Sequence, residues 1–316
     1  MNRSIFEQIL SDIEKSTDKD GNHLELDGLI ISDDSTEYSH YYASGKIKND
    51  VRSICKPIIN MCIGIEIEKK NSFSGMNFNL DMKIWPFFKD TIKLTEKQNE
   101  KYLERLTIRH LITHTMGYSE GLLFRKDVEK IGEKNLLEYA FNYKIEHAPG
   151  DFFAYSNVGP YIFSALIQNE LGLTLDSWVN DTLFSKIDIT EYEWKKYGNY
   201  CAGSTGLEIS IEDLHKIGKI IHSGGMYGGK QIVPKNWIDE MRRIQVNTPD
   251  NCDLNRAFPK KGYGFGLWIT PKGQYFCDGT DGQYLIVIPE KSIVISTMGH
   301  QKDMKPIGEC FRRLIE

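Results

Sequence analysis

Apolar residues recur along this chain in two periods, and the switches between them divide it into parts. Ile5, Phe6, Ile9, Leu10 and Ile13 fall on one side of a helix, so residues 5–16 are expected to form a short amphipathic helix. Leu26-Asp27-Gly28-Leu29-Ile30-Ile31-Ser32 reads as a strand, Asp33-Asp34 as a turn, and Glu37-Tyr38-Ser39-His40-Tyr41-Tyr42 as the hairpin partner. The run Ile58-Ile59-Asn60-Met61-Cys62-Ile63-Gly64-Ile65 places apolar side chains around most of a helix, as in a helix buried at a domain centre. Residues 71–205 read as mostly helix and loop. Within them Ile108 to Thr115 predicts a helix ending at Gly117, and Tyr161 to Leu171 one ending at Gly172. Ile211 to His222 predicts a further helix, opened by Ser210 with Asp213 three residues on and closed by Gly224-Gly225. Strand signals return late, at Tyr263–Ile269, Tyr284–Ile288 and Ser292–Ser296, the last two around a turn at Pro289-Glu290-Lys291. Met304 to Ile315 closes the chain as a helix.

Strands at both ends with helices between predict one sheet built from the two termini, an α+β arrangement. Residues 1–60 and 206–316 are expected to form the sheet lobe and residues 61–205 an inserted helical lobe, with the ligand site between them. The length of 316 residues suits one large domain or two such lobes. A net charge of −5 gives no general attraction to nucleic acid, and no apolar run reaches the ~18–20 residues of a membrane span. The first residues lack the apolar core of a secretory signal, which sets the expectation of a cytoplasmic protein. Cys55, Cys62, Cys201, Cys252, Cys277 and Cys310 are scattered without a C-x-x-C pair, so reduced thiols and no zinc site are expected.

The candidate chemistry begins just before the buried helix, at Ser53-Ile54-Cys55-Lys56. A serine and a lysine three residues apart meet on one helix face. A lysine kept neutral can take the proton that makes a serine hydroxyl a poor nucleophile. Pro57 is tolerated only in a first helical turn, which places Ser53 near a helix N-terminus, where orphan N–H groups favour developing negative charge. A second S-x-x-K, Ser16-Thr17-Asp18-Lys19, runs into Asp20-Gly21-Asn22-His23 and reads as a solvated loop. His110 and His114 share a helix face without an H-E-x-x-H pattern and are expected to pack rather than bind metal.

Three further segments carry a resemblance. Leu106-Thr107-Ile108-Arg109-His110-Leu111-Ile112-Thr113-His114-Thr115-Met116-Gly117 is similar to the T-I-R-H-L-L-T-H-T-S-G signature of serine hydrolases of the class C β-lactamase and penicillin-binding-protein type. Pro149-Gly150-Asp151-Phe152-Phe153-Ala154-Tyr155-Ser156-Asn157-Val158-Gly159 resembles that family's segment with the Y-x-N core, and Gly225 to Trp237 its G-G-x-x-x-G-x-x-I-V-P-x-x-W segment. The resemblance implies a β-lactamase/transpeptidase-like fold, an antiparallel sheet flanked by helices with a mostly helical inserted lobe. It implies Ser53 as the acylated nucleophile, Lys56 as its partner, Tyr155 as a base or part of one, and Asn157 as a hydrogen-bond partner of substrate. The family's K-T-G motif falls on Cys277-Asp278-Gly279, followed by Thr280, so the carboxylate-binding lysine is replaced and an acid stands beside it. An acid there repels a carboxylate. The segment is closer to the esterase and amide-oligomer-hydrolase branches, which carry G-x-G-G-Q-Y there. Cys277, Asp278, Gly279 and Thr280 are thus expected to line the substrate site, with the N–H groups of Ser53 and Thr280 as oxyanion donors. The expected partner is a small ester or amide, with no metal or organic cofactor. A β-lactam or D-alanyl peptide is the alternative substrate, and a binding or sensing module on the same fold the alternative class of function.

Overall fold

The apolar run at Leu26 finds its neighbours at opposite ends of the chain. In the computed structural model, which describes residues 1–70, 72–73, 75–248 and 257–315, it forms β1 (Leu26–Ser32). On one side it pairs with β2 (Glu37–Tyr41). The short β3 (Lys48–Asp50) and β4 (Leu207–Ser210) pair with each other outside the main sheet. The late strands are β5 (Val246–Asn247), β6 (Gly262–Tyr263), β7 (Trp268–Ile269), β8 (Tyr275–Gly279), β9 (Gln283–Ile288) and β10 (Ile293–Gly299). They join β1 and β2 in an eight-stranded sheet of order β5-β6-β7-β8-β9-β10-β1-β2, with every neighbour antiparallel.

The chain divides into two compact units. The first comprises Met1–Pro57, Ile189–Tyr192 and Leu207–Glu316 and holds the sheet. Every residue of β8, β9 and β10 is buried, as expected of strands covered on both faces. Helix Arg3–Lys15 buries Phe6, Ile9 and Ile13, and Phe6 stacks on Tyr38 at 5.3 Å. Helix Ile211–His222 is anchored by its Ser210 cap, which accepts the Asp213 N–H, and by His215, whose ring bonds Ser32 Oγ at 2.8 Å and Ser296 Oγ at 3.0 Å.

The second unit comprises Ile58–Asp188 and Glu193–Gly206 and is mostly helical. Helix Val158–Leu171 is buried from Val158 through Ile167, and Gly172 ends it in the left-handed conformation. Trp85 and Phe88 pack on Phe141 at 5.4 and 5.1 Å. The chain passes from the first unit to the second inside helix Cys55–Glu68, which is buried from Cys55 to Ile65.

Several expectations need correction. Tyr263–Ile269 is a hairpin, β6 and β7, because the chain turns at Gly264–Leu267 with Gly266 at φ +86°. The helix expected to Thr115 ends at Ile112, since His114 takes φ +56°. The closing helix is two pieces, Lys305–Cys310 and Arg312–Ile315. Strand β8, with Cys277 and Asp278 in it, gave no strand signal of its own in the sequence. Five cysteines are buried free thiols, and Cys252 lies outside the described residues.

Candidate active site

In the first unit the polypeptide leaves β3, makes a single 3₁₀ turn, Arg52–Ile54, and enters helix Cys55–Glu68. Val51 is pinned by its N–H to Leu207 O at 2.8 Å, and Ile54 N–H closes the turn on Val51 O at 3.1 Å. Ser53 sits in this turn, half-buried, two residues before the helix begins. The next turn brings Lys56 back beside it, with Lys56 Nζ 3.1 Å from Ser53 Oγ. Lys56 is only 2% exposed. Burial pulls its pKa down to about 7, against smaller opposing effects from Cys55 and the Asp278 carboxylate.

Strand β8 meets the serine turn at Gly279. A Cβ there would lie 2.4 Å from Val51 O and 2.7 Å from Arg52 Cβ, so only glycine fits. Strand alternation puts Cys277 on the face of Gly279 and Asp278 on the opposite one. Asp278 accepts the indole N–H of Trp268 at 3.1 Å. Cys277 lies opposite Leu285, its thiol 3.9 Å from Leu285 O, and burial raises its pKa well above the ordinary thiol value. Thr280 follows, exposed, at the start of the turn into β9. Thus Ser53, Lys56 and the Gly279 backbone are brought together, while Asp278 is committed to Trp268 and acts on Lys56 through its charge.

Sequence reasoning overlooked the ions around this turn. Arg52 has φ +53° and bonds Asp50 through Nη1 at 2.8 Å and Asp281 through Nη2 at 2.9 Å. Nothing local in the sequence marks Asp281 as a partner of Arg52, because the pairing is made by the fold.

Tyr155 and Asn157 belong to the second unit. The backbone of residues 154–158 is stitched to the 114–123 loop: Ala154 N–H donates to His114 O at 2.9 Å and Asn157 N–H to Leu122 O at 3.0 Å. Ser156 Oγ donates to Leu122 O at 3.1 Å and accepts from Leu122 N–H at 3.1 Å. A Cβ on Gly121 would stand 2.2 Å from Tyr155 O, so this close crossing also requires glycine. The Tyr155 ring lies 4.6 Å from the buried His114 ring. Asn157 stands at the position just before helix Val158–Leu171 without capping it through its side chain, whose amide donates instead to Leu123 O at 3.0 Å. His110 Nδ1 accepts the Thr107 N–H at 3.1 Å, closing a helix start, and burial lowers its pKa. Among the described residues no three His, Cys, Asp or Glu side chains are grouped to hold a metal, and no helix is long and apolar enough to cross a membrane.

The sequence pattern of the beta-lactamase family matches residues 50–309, from the strand before Ser53 to the closing helices. The chain belongs to the beta-lactamase family. This family member is 24% identical over 230 residues to an uncharacterised protein of Alkalihalophilus pseudofirmus, a match covering 62% of this chain and 61% of that protein. The chain thus spans about three fifths of the length of that relative. Its fold is that of a Bacillus anthracis protein described as a 6-aminohexanoate-dimer hydrolase, with TM-score 0.72 and 17% identity over 92% of this chain and 78% of the other. It is also that of EstCE1, a hydrolase with promiscuous acyltransferase activity, with TM-score 0.72 and 14% identity over 98% of each chain. At these identities the two structures establish the fold, a mixed helical and antiparallel-sheet architecture of β-lactamase type.

Proposed function

We propose that this family member is a serine hydrolase that cleaves a small ester or amide through an acyl-enzyme on Ser53. The observation that carries the reading is the 3.1 Å contact between Ser53 Oγ and a buried Lys56 whose pKa is brought to about 7. A lysine in water is protonated at neutral pH and takes no proton from a hydroxyl. Desolvation makes the neutral amine available at the atom that needs it.

In this reading neutral Lys56 takes the Ser53 proton as Oγ attacks the substrate carbonyl. The N–H groups of Ser53 and Thr280 hold the oxyanion, and loss of one such donor typically costs ~10²–10³ in rate. Collapse of the tetrahedral intermediate breaks the bond to the leaving group, which departs with the proton. Water then repeats the sequence and releases the acid. The family resemblance gives Tyr155 a share in this proton transfer and Asn157 a hydrogen bond to substrate. The same resemblance gives Cys277, Asp278, Gly279 and Thr280 a place along the substrate site, and the negative charge of Asp278, where the K-T-G motif has threonine, disfavours an anionic substrate. Proteins of the same fold include a 6-aminohexanoate-dimer hydrolase and a hydrolase with promiscuous acyltransferase activity beside β-lactamases and penicillin-binding proteins, so the preference for ester or amide over β-lactam rests on the altered K-T-G motif. The reading uses no metal or organic cofactor.

The test is intact-protein mass spectrometry with a fluorophosphonate, a penicillin and a short p-nitrophenyl ester, with product followed in parallel. A fluorophosphonate adduct on Ser53, steady ester turnover and little reaction with penicillin are expected. Ser53→Ala should abolish both adduct and turnover. A Ser53→Ala protein as active as wild type would overturn the assignment, and a lasting penicillin adduct without turnover would favour a sensing role.

A further inference from the structure

Beside Ser53 stands an ion cluster that the proposed chemistry leaves unused. The Arg52 guanidinium reaches Asp50 through Nη1 at 2.8 Å and Asp281 through Nη2 at 2.9 Å. Asp50 also accepts the Arg52 backbone N–H at 2.8 Å, so it fixes both ends of the same residue. We propose that Arg52 is a positioning residue: shared between Asp50 and Asp281, it clamps the turn Thr280–Gly282 against the serine turn and holds the Ser53 and Thr280 N–H groups at one spacing.

Three observations converge on this role. The two partners of the clamp both hold a backbone conformation that non-glycine residues rarely adopt, Arg52 at φ +53° and Asp281 at φ +70°. Such conformations persist where surrounding structure over-determines them. Next, Gly279 lets the strand come within contact of Val51 and Arg52, so the two turns touch through backbone as well as charge. Finally, Gln283 holds the strand turn from its other side, its Nε2 donating to Asp281 O at 2.9 Å and to Gly299 O at 2.7 Å. The turn that carries Thr280 is therefore tied to β10 by an amide and to the serine turn by an ion pair. Arginine suits the task because its planar fork serves two carboxylates at once, whereas a lysine presents one point of charge. An oxyanion hole gains from donors fixed before the charge appears, and a displacement of ~1 Å can cost ~10²-fold in rate.

The inference rests on the assignment of Ser53 as nucleophile, and its test separates the two. Asp281→Asn removes the charge while asparagine accepts a positive φ, and Arg52→Lys keeps the charge while losing the fork. Each is compared with wild type and Ser53→Ala for fluorophosphonate labelling rate, ester kcat and KM, and amide hydrogen exchange at Thr280 and Gly282. Asp281→Asn is expected to lower kcat and the labelling rate by ~10–100-fold, leave KM within about twofold, and speed exchange at both amides. Arg52→Lys should show a smaller loss in the same direction. Wild-type kcat in both variants, with Ser53→Ala inactive, would overturn the clamp and leave the nucleophile standing. A rise in KM alone would overturn it too, by making Arg52 a substrate contact. Should Asp281→Asn fail to fold, Arg52→Lys decides by the same measures. A wild-type protein that is neither labelled nor active would overturn the nucleophile and the clamp's catalytic role together.

Discussion

Lys56 has two opposed effects, one on stability and one on chemistry. Its burial depresses the pKa from 10.5 to about 7, so the folded chain gives up a proton that the unfolded chain keeps. The sign follows. Above pH 10.5 the amine is neutral in both states and costs nothing; as pH falls toward 7 the unfolded state gains, and below about 7 the cost is complete. Lys56→Met is therefore expected to raise the melting temperature by about 3–10 °C at pH 6 and much less near pH 10. The same change should lower ester turnover by ~10²–10⁴, and Lys56→Arg should not restore it, because a guanidinium does not deprotonate. Wild-type kcat/KM should climb with pH through about 7 and then level. Thermal melts at the two pH values and a pH–rate profile check these expectations. The S-x-x-K spacing that places Lys56 beside Ser53 was readable in the sequence because helical geometry alone decides it. The Arg52–Asp281 pair was not, since its partners lie at opposite ends of the chain and the strand turn brings them together.

At the scale of elements, His215 joins a helix to two strands. Its neutral ring bonds Ser32 on β1 and Ser296 on β10, with Glu37 Oε2 at 3.7 Å and Lys219 also acting on it by charge. Burial lowers its pKa to about 4, Glu37 opposes the shift, and Lys219 adds to it. The folded value lies below the ordinary 6.5, so this junction contributes fully above about 6.5 and is lost as pH falls through about 4. His215→Gln is expected to be less stable at pH 7 by ~1–3 kcal/mol, and to lose less further stability between pH 6.5 and 4 than wild type. Denaturant titrations across that range measure it. Helix Ile211–His222 was legible to the residue because Ser210 and Asp213 announce its start and an apolar stripe runs its length. The β6–β7 hairpin was not, because Tyr263-Gly264-Phe265-Gly266-Leu267-Trp268 reads as apolar throughout and only the backbone at Gly266 reveals the reversal. Helix Ile108–Ile112 stops early for a similar reason: His114 adopts a positive φ that side-chain chemistry does not advertise.

For the molecule as a whole, the α+β class followed from where the strand signals lie, and the family pattern over residues 50–309 agrees with it. What composition and period left open was the order of the strands. β1 lies between β2 and β10, so one of the first strands made is held in the sheet by the last. Contacts so distant in sequence slow folding, because the entropy of closing a long loop precedes the gain from pairing. In a refolding experiment with pulsed hydrogen exchange, the amides of β1 that face β10 are expected to gain protection together with β10, later than those of helix Ile211–His222. Protection of those β1 amides ahead of β10 would contradict this.

The same topology sets a schedule for synthesis in the cell. Translation proceeds at about 5–20 residues per second, so Ser32 leaves the ribosome roughly 10–50 s before Gly299 is made. Through that interval the apolar run Leu29-Ile30-Ile31 has β2 on one edge and an open edge on the other. Nascent chains stalled short of β10 should then be captured by holdase chaperones through this segment, and release of the finished chain should end the capture.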